Sequence, residues 1–195
     1  MKKKHKYIIT LNAVVVLAFV GLCFVATLLG ELSKGQLTEK FFMTYHSSLL
    51  DPLTYLRFFT HVLGHGSWQH FMGNASYLLI LGPMLEEKHG SKTILEIILI
   101  TAVITALINY VAFPKVGLCG ASGVVFAFII LASFTGFNEG EIPLTFILVA
   151  LLYIGEQIFQ GLTVKDNISN MGHIIGGAVG AITGFILNKR KKKSY

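Results

Sequence analysis

Polar side chains are costly inside apolar stretches unless they are partnered, and four of them open such stretches here: His70 with Asn74, Ser122, and His173. Ser122 lies in Gly120-Ala121-Ser122-Gly123, where glycine allows a sharp turn into a helix and close approach by a substrate backbone. At a helix start the free backbone N–H groups point to where an oxyanion would form, a setting that suits a serine nucleophile. A plain N-cap serine is the structural alternative. His173 follows Asn170-Met171-Gly172 and leads into a ridge of Gly172, Gly176, Gly180 and Gly184. Small residues at that spacing let two membrane helices pack closely and could bring the imidazole to Ser122, although a structural histidine bonded to a loop carbonyl is the competing reading. His70 and Asn74, one helical turn apart, share a face.

No acidic residue is obviously placed as a third member. Glu156 lies in an apolar span near its outer end, where an interfacial role fits better. A two-residue Ser-His system, with packing rather than a carboxylate orienting the imidazole, is therefore expected. His61 and His65 form an H-x-x-x-H pair with His70 close behind, which alone could hold zinc, but no Glu follows in the H-E-x-x-H sense. Neither a metal nor another cofactor is expected. Cys23 in an apolar run and Cys119 in a Gly-rich turn suggest no disulfide framework.

The elements that must hold these groups are long apolar runs. Ile8 to Leu29 is continuous for about 22 residues, enough to cross a hydrocarbon core roughly 30 Å thick. It is too long for a signal-peptide core and lacks a small-x-small cleavage site, and the large Leu22 before Cys23 argues against a lipoprotein. Glu31 to Gln69 reads as a long loop, polar and then aromatic, partly bedded in the lipid interface. Apolar runs resume at about 70–85, 93–113, 122–137, 142–159 and 171–187, separated by short charged or turn-forming segments. The expectation is a single all-α domain over 1–195, a polytopic membrane bundle of six helices near 8–29 and these five ranges.

Composition agrees: 53% of the 195 residues are hydrophobic, 13% are charged, and the charges cluster between the apolar runs. The mean hydropathy is +0.67, and a soluble surface would need charge spread along the chain. The net charge of +6 does not imply nucleic acid, because the basic residues gather at Lys2 to Lys6 and Lys189 to Lys193. Basic flanks mark cytoplasmic ends, and an even span count puts both termini on that side of a cell membrane. The second, fourth and sixth spans then all begin on the outer side, so His70, Asn74, Ser122 and His173 lie at similar depth. A transporter or channel would instead place paired charges deep in the spans.

The segments Arg57-Phe58-Phe59-Thr60-His61-Val62-Leu63-Gly64-His65, His70-Phe71-Met72-Gly73-Asn74, Gly120-Ala121-Ser122-Gly123 and Gly172-His173-Ile174-Ile175-Gly176-Gly177-Ala178-Val179-Gly180 resemble the rhomboid family of intramembrane serine proteases. The resemblance implies Ser122 as nucleophile and His173 as base, with His70, Asn74 and the Ser122 N–H as the oxyanion hole and Gly120 shaping the turn beneath. It implies single-span or polytopic membrane-protein substrates cut near the outer face of the bilayer, and a bacterial plasma membrane as the setting. It also implies a partly embedded first loop and a conventional charged turn at Glu86. Leu56 and Phe126 depart from the family's common Trp and Tyr at those places. A catalytically silent relative that only binds membrane proteins would not need Ser122, His173 and the donors together.

Overall fold

The computed structural model describes residues 11–133, 142, 144–163 and 167–191, and the basic runs at 2–6 and 192–193, the 138–141 separator and the Glu156 side chain lie outside what is described. The described residues form helices α1 (Val14–Leu32), α2 (Gln36–Phe41), α3 (Pro52–Thr60), α4 (Trp68–His89), α5 (Ser91–Ala112), α6 (Ser122–Ser133), α7 (Leu144–Thr163) and α8 (Asn167–Lys191). Among them there is no strand, and a lone antiparallel bridge pairs Thr44 with Leu118.

Six of these helices overlap the six expected runs, while α2 and α3 fall in the segment expected as a loop. That segment folds because it carries its own punctuation. Lys34 and Gly35 turn the chain through positive φ, and Asp51 caps α3 by accepting from Leu53 N at 3.0 Å, with Pro52 at the first helical position. Buried Thr54, Arg57 and Phe58 face inward, leaving Tyr55, Leu56 and Phe59 outside.

Helix α1 begins at Val14, after non-helical residues 11–13, while the expected start near residue 8 lies outside the described residues. The first turn of α1 is capped by a distant side chain. Ala13 offers no cap, but the Glu86 carboxylate accepts the N–H groups of Val15 at 3.0 Å and Val16 at 2.9 Å, and the Ser91 hydroxyl at 2.7 Å. An anion at a helix N-terminus meets both its unpaired donors and its dipole. Glu86 is thus not part of an open charged turn; it is buried within α4, which runs on to His89 before Gly90, at φ +83°, turns the chain into α5.

Helix α6 is apolar on nearly every side and lies at the centre of the bundle. It packs most extensively on α8 and also on α4, α5 and α7, while α1 covers α4. The outer surface is apolar too: Leu22 on α1, Ile80 on α4, Val111 on α5, Leu152 on α7 and Ile182 on α8 are all more than half exposed. Helices α1 and α5, of 19 and 22 residues, are long and apolar enough to cross a bilayer, and α6 and residues 172–187 form shorter apolar helices.

Candidate active site

Gly120 is where the backbone admits a site. Its φ is +132°, in the region that disfavours side chains, and a Cβ there would sit 3.0 Å from His70 Nε2 and 3.8 Å from Ser122 Oγ. The imidazole of α4 and the hydroxyl that opens α6 therefore flank one small space, which only glycine leaves open. The turn is anchored from behind. Thr44 and Leu118 exchange backbone bonds at 2.9 and 2.8 Å, and Gly120 N–H donates to the His61 carbonyl at 2.9 Å.

On its other side α6 meets α8 backbone to backbone. A Cβ on Gly176 would stand 2.0 Å from the Gly123 carbonyl oxygen, and one on Gly180 would stand 2.3 Å from that of Ala127. Such approach excludes any side chain and sets α8 against the first turns of α6. It places His173 beside Phe126, whose ring stacks on the imidazole at 4.2 Å between centroids and 7° between planes. Phe126 is one turn beyond Ser122, so packing orients His173 next to the serine's end of α6. Ser122 and His173 are half-buried and His70 is exposed, so the group is not sealed from outside.

Asn74 is buried, and its Nδ2 lies 3.0 Å from His65 Nε2. The His65 ring packs edge-on to that of His70, with centroids 5.0 Å apart. The H-x-x-x-H pair divides between different tasks: His61 uses Nδ1 toward the Arg57 carbonyl at 3.2 Å and Nε2 toward Thr105 Oγ1 at 3.1 Å. Among the described residues no cluster of three His, Cys, Asp or Glu side chains could hold a metal ion. Burial raises the Cys119 thiol to about 11, so the sulfur beside Gly120 stays protonated near neutral pH.

The segment between α1 and α4, loop one (residues 33–67), braces this group with a second buried cluster that single-residue motifs did not reveal. Arg57 donates to Tyr45 Oη at 3.1 Å, Ser47 Oγ at 3.0 Å, Asp51 Oδ2 at 3.3 Å and Thr54 Oγ1 at 3.3 Å. Asn109 on α5 donates to the Val116 carbonyl at 3.0 Å, tying the loop before Gly120 to the bundle. Asn109 and Thr105 were readable only as polar positions on an apolar helix, four residues apart and so on one face.

A helical bundle with an apolar exterior and a polar group gathered at the starts of α4, α6 and α8 belongs to the polytopic membrane proteins that enclose a polar site. The Rhomboid domain family profile matches residues 52–190. The chain is 32% identical over 142 residues to a Haemophilus influenzae protein described as Rhomboid protease GlpG, covering 71% of this chain and 72% of that one. The chain belongs to the rhomboid family.

Proposed function

We propose that this chain, a rhomboid-type serine endopeptidase, cleaves membrane proteins through a Ser122-His173 dyad. The observation that carries the proposal is what the first two turns of α6 adjoin: Ser122 Oγ and the His70 imidazole both border the space that Gly120 leaves open, and the Phe126 ring stacks on His173. In the proposed reaction His173 accepts the Ser122 proton as Oγ attacks the scissile carbonyl. The oxyanion that develops receives hydrogen bonds from His70, the Asn74 amide and the Ser122 N–H, the first of its helix and so without an intrahelical acceptor. The protonated His173 then hands its proton to the leaving amine, and water, activated by the same imidazole, releases the acyl group.

The same reading sets six spans in a bacterial plasma membrane with both termini in the cytoplasm, so the site lies toward the outer face where water is available. Substrates are single-span or polytopic membrane proteins whose segment unwinds to present an extended backbone near that face. Exposed Tyr55, Leu56 and Phe59 on α3 suit a first loop bedded in the outer interface.

Cleavage of a single-span reporter in liposomes by the natural chain, Ser122→Ala and His173→Ala tests the dyad. Loss of cleavage in both variants, each still folded, is the expected result. Cleavage that persists in Ser122→Ala overturns it, and no cleavage by the natural chain favours a silent membrane-protein binder.

A further inference from the structure

His65 touches two of the groups the reaction needs, and its surroundings fix where its hydrogen must be. Nδ1 faces acceptors: the Leu63 carbonyl at 3.1 Å, and Thr27 Oγ1 at 3.5 Å, whose own hydrogen is committed to the Cys23 carbonyl at 2.7 Å. Nε2 faces donors: Asn74 Nδ2 at 3.0 Å and the Ala121 backbone N–H at 3.4 Å. Burial pushes the imidazole down to about 4, so the ring is neutral and carries a single N–H. Acceptors on one side and donors on the other put that hydrogen on Nδ1 and leave Nε2 bare. A bare Nε2 also decides the Asn74 amide, since the flipped amide would set oxygen against an unprotonated nitrogen.

We infer that His65 is a positioning residue for the oxyanion hole: its Nε2 holds the Asn74 amide of α4 and the Ala121 N–H of the turn into α6 on one acceptor, fixing the distance between Asn74 and the Ser122 amide. The inference rests on the reading of Ser122 as nucleophile and Asn74 as a donor. Of the three N–H groups entering α6, that of Gly120 is held by the His61 carbonyl and that of Ala121 by His65, which leaves that of Ser122 for substrate. Asn74 Nδ2 keeps its second hydrogen for the same oxygen. The space beside His65 and Asn74, walled by Cys23, Phe71, Ala75 and Leu78, has no room for a water molecule, so the His65 ring and not solvent meets the Asn74 amide there.

The test uses the full chain in detergent with a single-span reporter, rates being expressed per active site titrated to completion with a fluorophosphonate. His65→Leu removes the acceptor and is expected to lower kcat roughly 30-fold with KM within about 3-fold, less than removing an oxyanion donor outright because the donors remain but are misplaced. His65→Gln, whose carboxamide oxygen can accept from the same two donors, is expected within about 5-fold of the natural kcat. Asn74→Ala should cost less in the His65→Leu background than alone, because the two act through one group. Should His65→Leu fail to fold, 15N NMR of the natural chain decides, with the His65 signal assigned by its loss in His65→Gln and a hydrogen on Nδ1 expected. Unchanged kcat in His65→Leu, Gln as damaging as Leu, multiplicative effects with Asn74→Ala, or a hydrogen on Nε2 would overturn the inference. Ser122→Ala, run alongside, separates the two ideas: persistent cleavage there sinks the dyad, whereas a dead Ser122→Ala beside a normal His65→Leu sinks only the role of His65.

Discussion

The α6–α8 seam and the loop-one braces around Arg57 and His61 position the same site by opposite means. The seam is tight and made of backbone: glycines on α8 take the carbonyl oxygens of α6 at distances that leave no space for a methyl group. The braces are polar: buried Arg57, His61 and Asn109 hold loop segments through directed hydrogen bonds. Close packing sets how near α8 comes to α6 and tolerates no added atom. A hydrogen-bonded loop sets direction, and its contribution is divided among many bonds of about 1 kcal/mol each. Steric insult should therefore be catastrophic and local at the seam, whereas loss of one brace should be graded.

The largest effect is expected from Gly176→Ala. Its Cβ would fall 2.0 Å from a backbone oxygen that cannot rotate away, so the helices must separate. The expected cost is about 4 kcal/mol or more, with at least ~100-fold less cleavage as His173 withdraws from Ser122. The neighbouring Gly177→Ala meets only Ile130 Cγ1 at 3.6 Å, an ordinary contact, and should be neutral or slightly stabilising by about 0.5 kcal/mol. Thermal unfolding in detergent and reporter cleavage check both. Equal tolerance at the two glycines would show that the seam does not discriminate by space.

An intermediate effect is expected at Arg57. Arg57→Ala strands the acceptors of Tyr45, Ser47 and Asp51 and should lower stability by about 2–3 kcal/mol, with Arg57→Lys recovering less than half because an ammonium cannot reproduce the planar fork. If chemical unfolding finds Arg57→Ala within about 0.5 kcal/mol of the natural chain, the braces are dispensable and the comparison fails.

The most gradual effect, smallest over any single pH unit, distinguishes the two regions by pH. Burial pushes the His61 imidazole down from 6.5 to about 4, against the pull of the Arg57 carbonyl on its Nδ1. Below 6.5 the unfolded chain takes up a proton that the folded chain refuses, so this contribution is complete above 6.5 and is lost as pH falls from there toward 4. The slope is at most about 1.4 kcal/mol per pH unit from this residue. Stability measured against pH should become shallower in His61→Gln, with buried His65 supplying part of the slope that remains, and keep its full acid dependence in Gly177→Ala. An unchanged profile in His61→Gln would remove His61 from the acid response.

The glycine spacing on α8, the apolar runs and the types at 70, 74, 122 and 173 were legible because each is a local pattern read against a membrane solvent, where a polar or a missing side chain stands out. The helices of loop one were less legible, since their caps, Asp51-Pro52 and Lys34-Gly35, are short signals within a segment of mixed polarity. His61 and His65 stand out as a spaced pair, but spacing does not say what a ring faces.

The sequence by itself determined which residues are available for chemistry and which helices can pack without side chains between them, because periodicity and residue size are properties of the chain alone. The tertiary structure decided what acts at long range. It brought the Glu86 carboxylate to the start of α1, the Phe126 ring onto His173, and Asn74 with the Ala121 N–H onto one nitrogen of His65. These contacts join residues far apart in the chain, and hydrogen bonds and ring stacking depend on angles and distances that only the assembled bundle defines.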